Sequence, residues 1–120
     1  DLPVRALVNI TSDGFLNLTR IKPTVGFRID SLPPPQPVFA LLQETGEIPD
    51  EEMYRVFNMG VGFCVIAPKD REILNAIHAV VRRHGVESFE IGEVIDDSRR
   101  RVFIPEKGLV GEGDRFERVS

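Results

Sequence analysis

FNMGVGFCVIA, residues 57–67, sets a polar, glycine-bearing opening against an apolar run. Gly62 to Ala67 (GFCVIA) has the composition of a buried strand. Glycine at such a place marks a bulge or a close approach by another group. At Gly60 and Gly62 that group is either another segment of the protein or a ligand phosphate, and pattern alone leaves the two evenly matched. Asn58 adds a donor and an acceptor at the same edge.

The clearest helix follows at once, from Pro68 or Lys69 to about His84. Ile73, Leu74, Ile77, Val80 and Val81 fall on one stripe suited to packing on a sheet, and Gly85 is the expected stop. Two short helices precede the strand. PVFALLQETG begins with Pro37 in the first turn, with Gly46 as the expected stop. PDEEMYRVF begins with Pro49 and places Asp50, Glu51 and Glu52 near the positive helix end. Together they resemble a helical hairpin. Further out, VRALVNI (Val4 to Ile10) and VGFRID (Val25 to Asp30) read as strands, with a short helix at FLNLTRI between them. SFEIGEVID (Ser88 to Asp96) and RRRVFIP are expected to pair as a hairpin through DDS, with SRRR (Ser98 to Arg101) on its solvated tip. The tail supplies a last strand near Phe116 or stays loose. The fold class is therefore α+β: a mixed sheet with helices packed on it, partly ferredoxin-like.

With 120 residues, 42% of them hydrophobic, the chain is expected to form a single domain, 1–120. A net charge of -4 gives no electrostatic footprint for nucleic acid. Twelve arginines stand against Lys22, Lys69 and Lys107. That bias is read first as a mark of a thermophilic or GC-rich source, and second as a capacity for carboxylate or phosphate. Cys64 is the only cysteine, which rules out an internal disulfide and a multi-cysteine metal site. It is expected to be a small buried hydrophobe. No metal site is expected. No apolar run approaches the ~20 residues of a membrane span, and no signal peptide is visible. The opening Asp1 reads as an internal cut in a longer protein.

NITSDG (Asn9 to Gly14) is the second candidate edge. A strand that runs into a polar turn and then a helix presents unpaired backbone N–H groups to an anion. Thr11 and Ser12 add hydroxyls. Asp13 could bind a metal, take up a proton or cap the helix, and the cap is favoured. His78 and His84 are six apart, outside ligand-pair spacing, and read as structural. No Ser-His-Asp or Cys-His set can be assembled from local motifs, so the catalytic residues are unknown.

Several stretches resemble one family. FNMGVGFCV is similar to the F-N-M-G-[IV]-G segment of aminoimidazole ribonucleotide synthetase (phosphoribosylformylglycinamidine cyclo-ligase). ALVNITSDGFLNLTRI resembles its A-H-I-T-G-G-G-L-x-N-[IL]-x-R stretch. LPPPQPVFALLQETGEIPDEEMYRVFNMG resembles its P-x-[IV]-F-x-x-[IL]-Q-x-x-G-x-[IV]-x-x-x-E-M-x-x-[VT]-F-N-M-G block, and FEIGEV its I-G-x-[IV] strand. The likeness runs from about Ala6 to Val94. It implies most of the C-terminal domain of a two-domain cytoplasmic enzyme of purine biosynthesis. ATP and Mg2+ would be bound mainly by an N-terminal domain with no counterpart here. The substrate would be a small phosphoribosyl compound, and the fragment alone would be inactive. Asn58, Met59, Gly60 and Gly62 carry over as a segment lining the substrate cleft. Asn9, Thr11 and Gly14 carry over as cleft positions, with Ser12 and Asp13 in the same turn.

Two departures stand out. Asn9 replaces the family histidine, and asparagine hydrogen-bonds but does not transfer a proton near neutral pH. Ser12 and Asp13 replace two glycines, which narrows the freedom of the turn. They motivate an alternative: a binding or regulatory module that kept the fold. A sister enzyme such as selenophosphate synthetase, thiamine-monophosphate kinase or the hydrogenase-maturation protein is a further alternative, against which the F-N-M-G block argues. The resemblance also implies that the chain lacks that domain's first strand and helix, which would leave an apolar edge and face uncovered, so the chain is expected to form a homodimer or to aggregate.

Overall fold

The computed structural model describes residues 2–119. Its seven strands divide into two sheets. β1 (Ala6–Asn9) and β3 (Phe63–Ile66) form an antiparallel ribbon, with Ala6 opposite Ile66 and Asn9 opposite Phe63. β2 (Gly26–Ile29), β4 (Gly92–Ile95), β5 (Val102–Ile104), β6 (Leu109–Glu112) and β7 (Arg115–Arg118) form a sheet in the order β4-β2-β5-β6-β7. The β2–β5 pairing is parallel and the others are antiparallel. The helices are α1 (Pro37–Gly46), α2 (Asp50–Val56) and α3 (Arg71–Arg83). The α+β class expected from the sequence is the class observed.

Local chemistry accounts for most of these elements. In β2, Phe27 and Ile29 are buried while Arg28 between them is exposed, the period-two signature of a strand with one covered face. Val102 and Ile104 repeat it in β5. Asp70 caps α3: its carboxylate accepts from the N–H groups of Glu72 and Ile73 at 2.9 and 3.3 Å. Gln43 Nε2 donates to Asp50 Oδ1 at 2.8 Å and ties the end of α1 to the start of α2. The core lies between the five-stranded sheet, α2 and a 3-10 helix at Gly14–Arg20. Phe15, Met53, Tyr54, Val102, Ile104 and Leu109 are its most deeply buried members, and the rings of Phe15 and Tyr54 stack at 6.3 Å.

The fold makes two of the sequence expectations definite and corrects two others. FLNLTRI forms the expected short helix, and it is of the 3-10 type. The left-handed residue ending α1 is Glu47, at φ 52°, and not Gly46. Of the two alternatives for the tail, the strand near Phe116 is the one observed: β7 pairs with β6, and Phe116 is buried. Finally, the hairpin between SFEIGEVID and RRRVFIP does not form, because β2 lies between β4 and β5. Turn chemistry is present in the link. The Asp97 carboxylate accepts from the backbone N–H groups of Arg99 and Arg101 and from the Arg101 guanidinium. That link carries the chain across the end of β2 instead of doubling it back. Inserting β2 covers Phe27 and Ile29, a gain that no short-range signal announces.

The other side of the molecule is thinly covered. Leu7, Phe63 and Val65 are exposed on one face of the β1–β3 ribbon, while Val8 and Cys64 are buried on the other. No residue of α1 or α3 is buried. The apolar stripe of α3 is only half covered. Val38, Leu41 and Leu42 of α1 are exposed.

Candidate functional site

The two edges singled out in the sequence meet in space. Beyond the end of β1 the ribbon gains one more bond: Ile10 N–H donates to the carbonyl of Gly62 at 3.0 Å. The chain then turns at 11–14, where Gly14 N–H donates to Thr11 O at 2.9 Å. Gly14 sits at φ +55°, and a Cβ there would lie 2.0 Å from the carbonyl oxygen of Tyr54 and 2.9 Å from that of Phe57. Only glycine lets the turn sit against the end of α2. The Thr11–Gly14 turn is thereby fixed to the loop that opens FNMGVGF.

That loop is shaped by its own polar group. Asn58 Oδ1 accepts from Gly60 N–H at 2.8 Å, and the Asn58 carbonyl accepts from Val61 N–H at 3.1 Å. Met59 and Gly60 both take positive φ, 53° and 93°. For methionine this costs about 1–2 kcal/mol. Its side chain is buried in the core, which offsets the strain and leaves Met59 only backbone to offer a ligand. The two glycines have different reasons to be there. Gly60 needs the left-handed conformation, and a Cβ there would meet the Gln36 side chain. Gly62 faces no atom within 4 Å of a notional Cβ, so its strand mouth is bare. Another protein segment therefore approaches closely at Gly60, as it does at Gly14, and only Gly62 is left open.

A cleft of about 340 Å³ opens beside β1 and the turn, lined by Leu7, Val8, Asn9, Thr11, Asn17, Arg20 and Ile21. Asn9 and Thr11 line it, and Ser12 is exposed next to them. Asn58 to Gly62 border the same turn but do not line the cleft. Asp13 does not cap the helix as expected: it makes no capping bond, and its carboxylate pairs with Arg20. The 3-10 winding already satisfies the amides of Gly14 and Leu16 through Thr11 O and Asp13 O, which leaves the carboxylate for Arg20.

Asn17 was not singled out in the sequence, yet it organises the turn. It is 1% exposed. Its Nδ2 donates to Gly14 O at 2.8 Å, and its Oδ1 accepts from Thr11 Oγ1 at 3.3 Å. Two signals were available: a polar residue set among Phe15, Leu16 and Leu18, and the N at the matching place of the family stretch quoted above. The fold also brings together a set that local motifs could not: His78 Nδ1 lies 2.5 Å from Ser88 Oγ, and His78 Nε2 lies 3.8 Å from Glu90. Arg71 pairs with Glu90 and lowers its pKa. This exposed network ties the 88–90 segment to α3 and borders neither cleft.

Two other titratable groups are held out of proton chemistry. Burial pushes the Cys64 thiol up to about 11, in keeping with an inert core residue. Burial, with the nearby charges of Asp50 and Glu106, pushes Tyr54 up to about 12. Tyr54 lines a second, smaller cleft of about 220 Å³ under Pro33–Pro35. Among the described residues no three His, Cys, Asp or Glu side chains are grouped to hold a metal. No helix of the described residues is long and apolar enough to cross a membrane.

The C-terminal domain of AIR synthase related proteins matches residues 2–105 of this sequence. The chain belongs to that family. It is 48% identical over 98 residues to the phosphoribosylformylglycinamidine cyclo-ligase of Methanothermobacter thermautotrophicus, a match covering 80% of this chain and 27% of that protein. It is 42% identical over 96 residues to the enzyme of the same name from Methanocaldococcus jannaschii, with 80% and 27% covered. The Pyrococcus horikoshii enzyme of that name is 43% identical over 100 residues, with 83% and 28% covered. The chain thus spans about a quarter of the length of these relatives. Both site segments, 9–14 and 58–62, fall inside the AIR synthase C-terminal match.

Proposed function

We propose that the chain forms one domain, 1–120, that lines the substrate cleft of an ATP-dependent cyclo-ligase converting formylglycinamidine ribonucleotide to aminoimidazole ribonucleotide. The observation that carries this reading is the joining of the 11–14 turn to the 58–62 loop through Ile10 and Gly62, in a chain of this family. In that reaction phosphoryl transfer activates an amide oxygen, an internal nitrogen attacks the same carbon, and phosphate leaves. The residues here bind and orient. Bare Gly62 lets substrate approach the strand mouth. Asn58 commits Oδ1 to Gly60 and keeps Nδ2 as a donor. Asn9 offers a carboxamide at the cleft wall but no proton transfer.

ATP and Mg2+ belong to this reading at the level of the whole enzyme. They would be held mainly by an N-terminal domain, and on this reading the fragment alone is inactive. The ferredoxin-like layout, the homodimer and a cytoplasmic setting are further parts of the proposal. Exposed Leu7, Phe63 and Val65 on the ribbon support a face that works against more protein. The test is to supply the product of the complete reading frame with ATP and formylglycinamidine ribonucleotide. Formation of aminoimidazole ribonucleotide with ADP is expected. No product above background would contradict the reading.

A second reading is favoured by one observation. Asp13, at a position where the family stretch has glycine, ties up Arg20, and Asn9 stands in place of histidine. A module that binds a phosphoribosyl ligand without turning it over would carry such changes. In the same assay it would bind the ribonucleotide and release no ADP.

A further inference from the structure

We propose that Arg20 is the oxyanion anchor of the cleft beside β1, and that Asp13 competes with the ligand for it. The ligand group is a phosphate monoester. The proposal deepens the substrate-cleft reading and rests on it for the location of the site.

The cleft is lined by apolar Leu7, Val8 and Ile21 and by polar Asn9, Thr11, Asn17 and Arg20. Arg20 is the one charged residue among those that line it. Two of the polar groups are committed: Asn17 to Gly14 O, and the Thr11 hydroxyl to Asn17. They hold the wall in place. Asn9 makes no side-chain hydrogen bond among the described residues and retains its amide donor. Arg20 presents a planar fork of N–H donors matched to phosphate oxygens. Asn9 and Arg20 are thus a neutral and a cationic donor on the same cleft, a combination suited to a phosphate on a polar ligand.

Asp13 pairs with one arm of that fork, Arg20 Nη2. Both side chains are well exposed, 63% for Arg20 and 47% for Asp13. A pair so solvated is worth no more than about fivefold in an equilibrium constant. Asp13 therefore tunes the anchor and does not block it. An incoming dianion carries more charge than the carboxylate it displaces. The freed carboxylate returns to water, where it is stable.

The test is calorimetric titration of the chain with inorganic phosphate and with ribose 5-phosphate at low ionic strength, where such contacts are least screened. Arg20→Gln is expected to weaken ribose 5-phosphate binding at least tenfold, with Arg20→Lys between it and the wild type. Asp13→Asn is expected to tighten binding about two- to fivefold, and to have no effect when Arg20 is already Gln. Each variant is checked for an unchanged melting curve. Ribose 5-phosphate binding more tightly than inorganic phosphate supports an ester ligand. Equal affinities overturn that part. Unaltered affinity in Arg20→Gln overturns the anchor, as does absence of binding to the wild type. A gain from Asp13→Asn that persists in the Arg20→Gln background overturns the competition and leaves only charge repulsion. Arg20-dependent binding of ribose 5-phosphate in a protein whose complete product makes no aminoimidazole ribonucleotide would defeat the cyclo-ligase reading alone. Turnover indifferent to Arg20 would defeat the anchor alone.

Discussion

The two halves of this molecule are built to different standards. Around the five-stranded sheet, Phe15, Met53, Val102 and Ile104 are completely buried, and even the tail strand contributes Phe116. Around the β1–β3 ribbon, Leu7 is 61% and Phe63 50% exposed, and α1 and α3 bury no residue. Both halves have well-formed secondary structure, so the contrast lies in packing and not in local propensity. One half is a finished core. The other presents apolar surface of the kind that marks an interaction face. The candidate site lies where they meet: Gly14 is clamped to α2 on the finished side, and Asn9 and Gly62 open on the uncovered side.

Core substitutions should separate the halves most sharply. Phe15→Ala is expected to cost about 3–5 kcal/mol in urea unfolding, a large share of the ~5–15 kcal/mol of a typical domain. Leu41→Ala on α1 is expected to change stability by less than about 0.5 kcal/mol. Equal costs would mean that α1 is covered in solution, and the contrast drawn above would fail.

The glycines give the next largest effect. Gly14→Ala places a Cβ against the Tyr54 carbonyl at an unfavourable φ, and is expected to cost about 3 kcal/mol. Gly62→Ala meets open space and should leave the melting temperature unchanged while weakening ligand binding. Loss of stability in Gly62→Ala would show that the strand mouth is packed and not bare.

How much of this was legible beforehand follows the same divide. Element types came from period and punctuation: the alternation of Phe27 and Ile29, the stripe of α3, Pro37 and Pro49 at helix starts. Pairing did not. DDS has the chemistry of a turn, and nothing local shows that β2 slips between β4 and β5, because that choice is made by burial of Phe27 and Ile29 among residues far apart in sequence. The site was legible as two segments, since glycines and Asn58 mark them. Their contact through Ile10 and Gly62 depends on ribbon register. The part played by Asn17 went unseen because a buried asparagine in an apolar helix shows its use only when its partners are in place. Asp13 departs from the expected cap for a related reason: the 3-10 winding satisfies the amides of Gly14 and Leu16 another way.

The smallest effect concerns acid. The Arg101 guanidinium beside Asp97, helped by the backbone N–H groups of Arg101 and Arg99, holds its carboxyl down at about 2, below the ordinary 3.8. A depressed folded-state value contributes stability that is present above pH 3.8 and lost as pH falls toward 2. Asp97→Asn should flatten that part of an acid titration of the melting temperature. An unaltered acid limb would show that the β4–β5 link is not fastened by this pair.

The most direct test of the site itself is a titration of the isotopically labelled chain with formylglycinamidine ribonucleotide, followed by amide chemical shifts. The account predicts that Ile10, Thr11, Gly14, Asn58, Gly60 and Gly62 move together on one binding curve. Shifts confined to the second cleft, around Leu32, Tyr54 and Lys107, would contradict it.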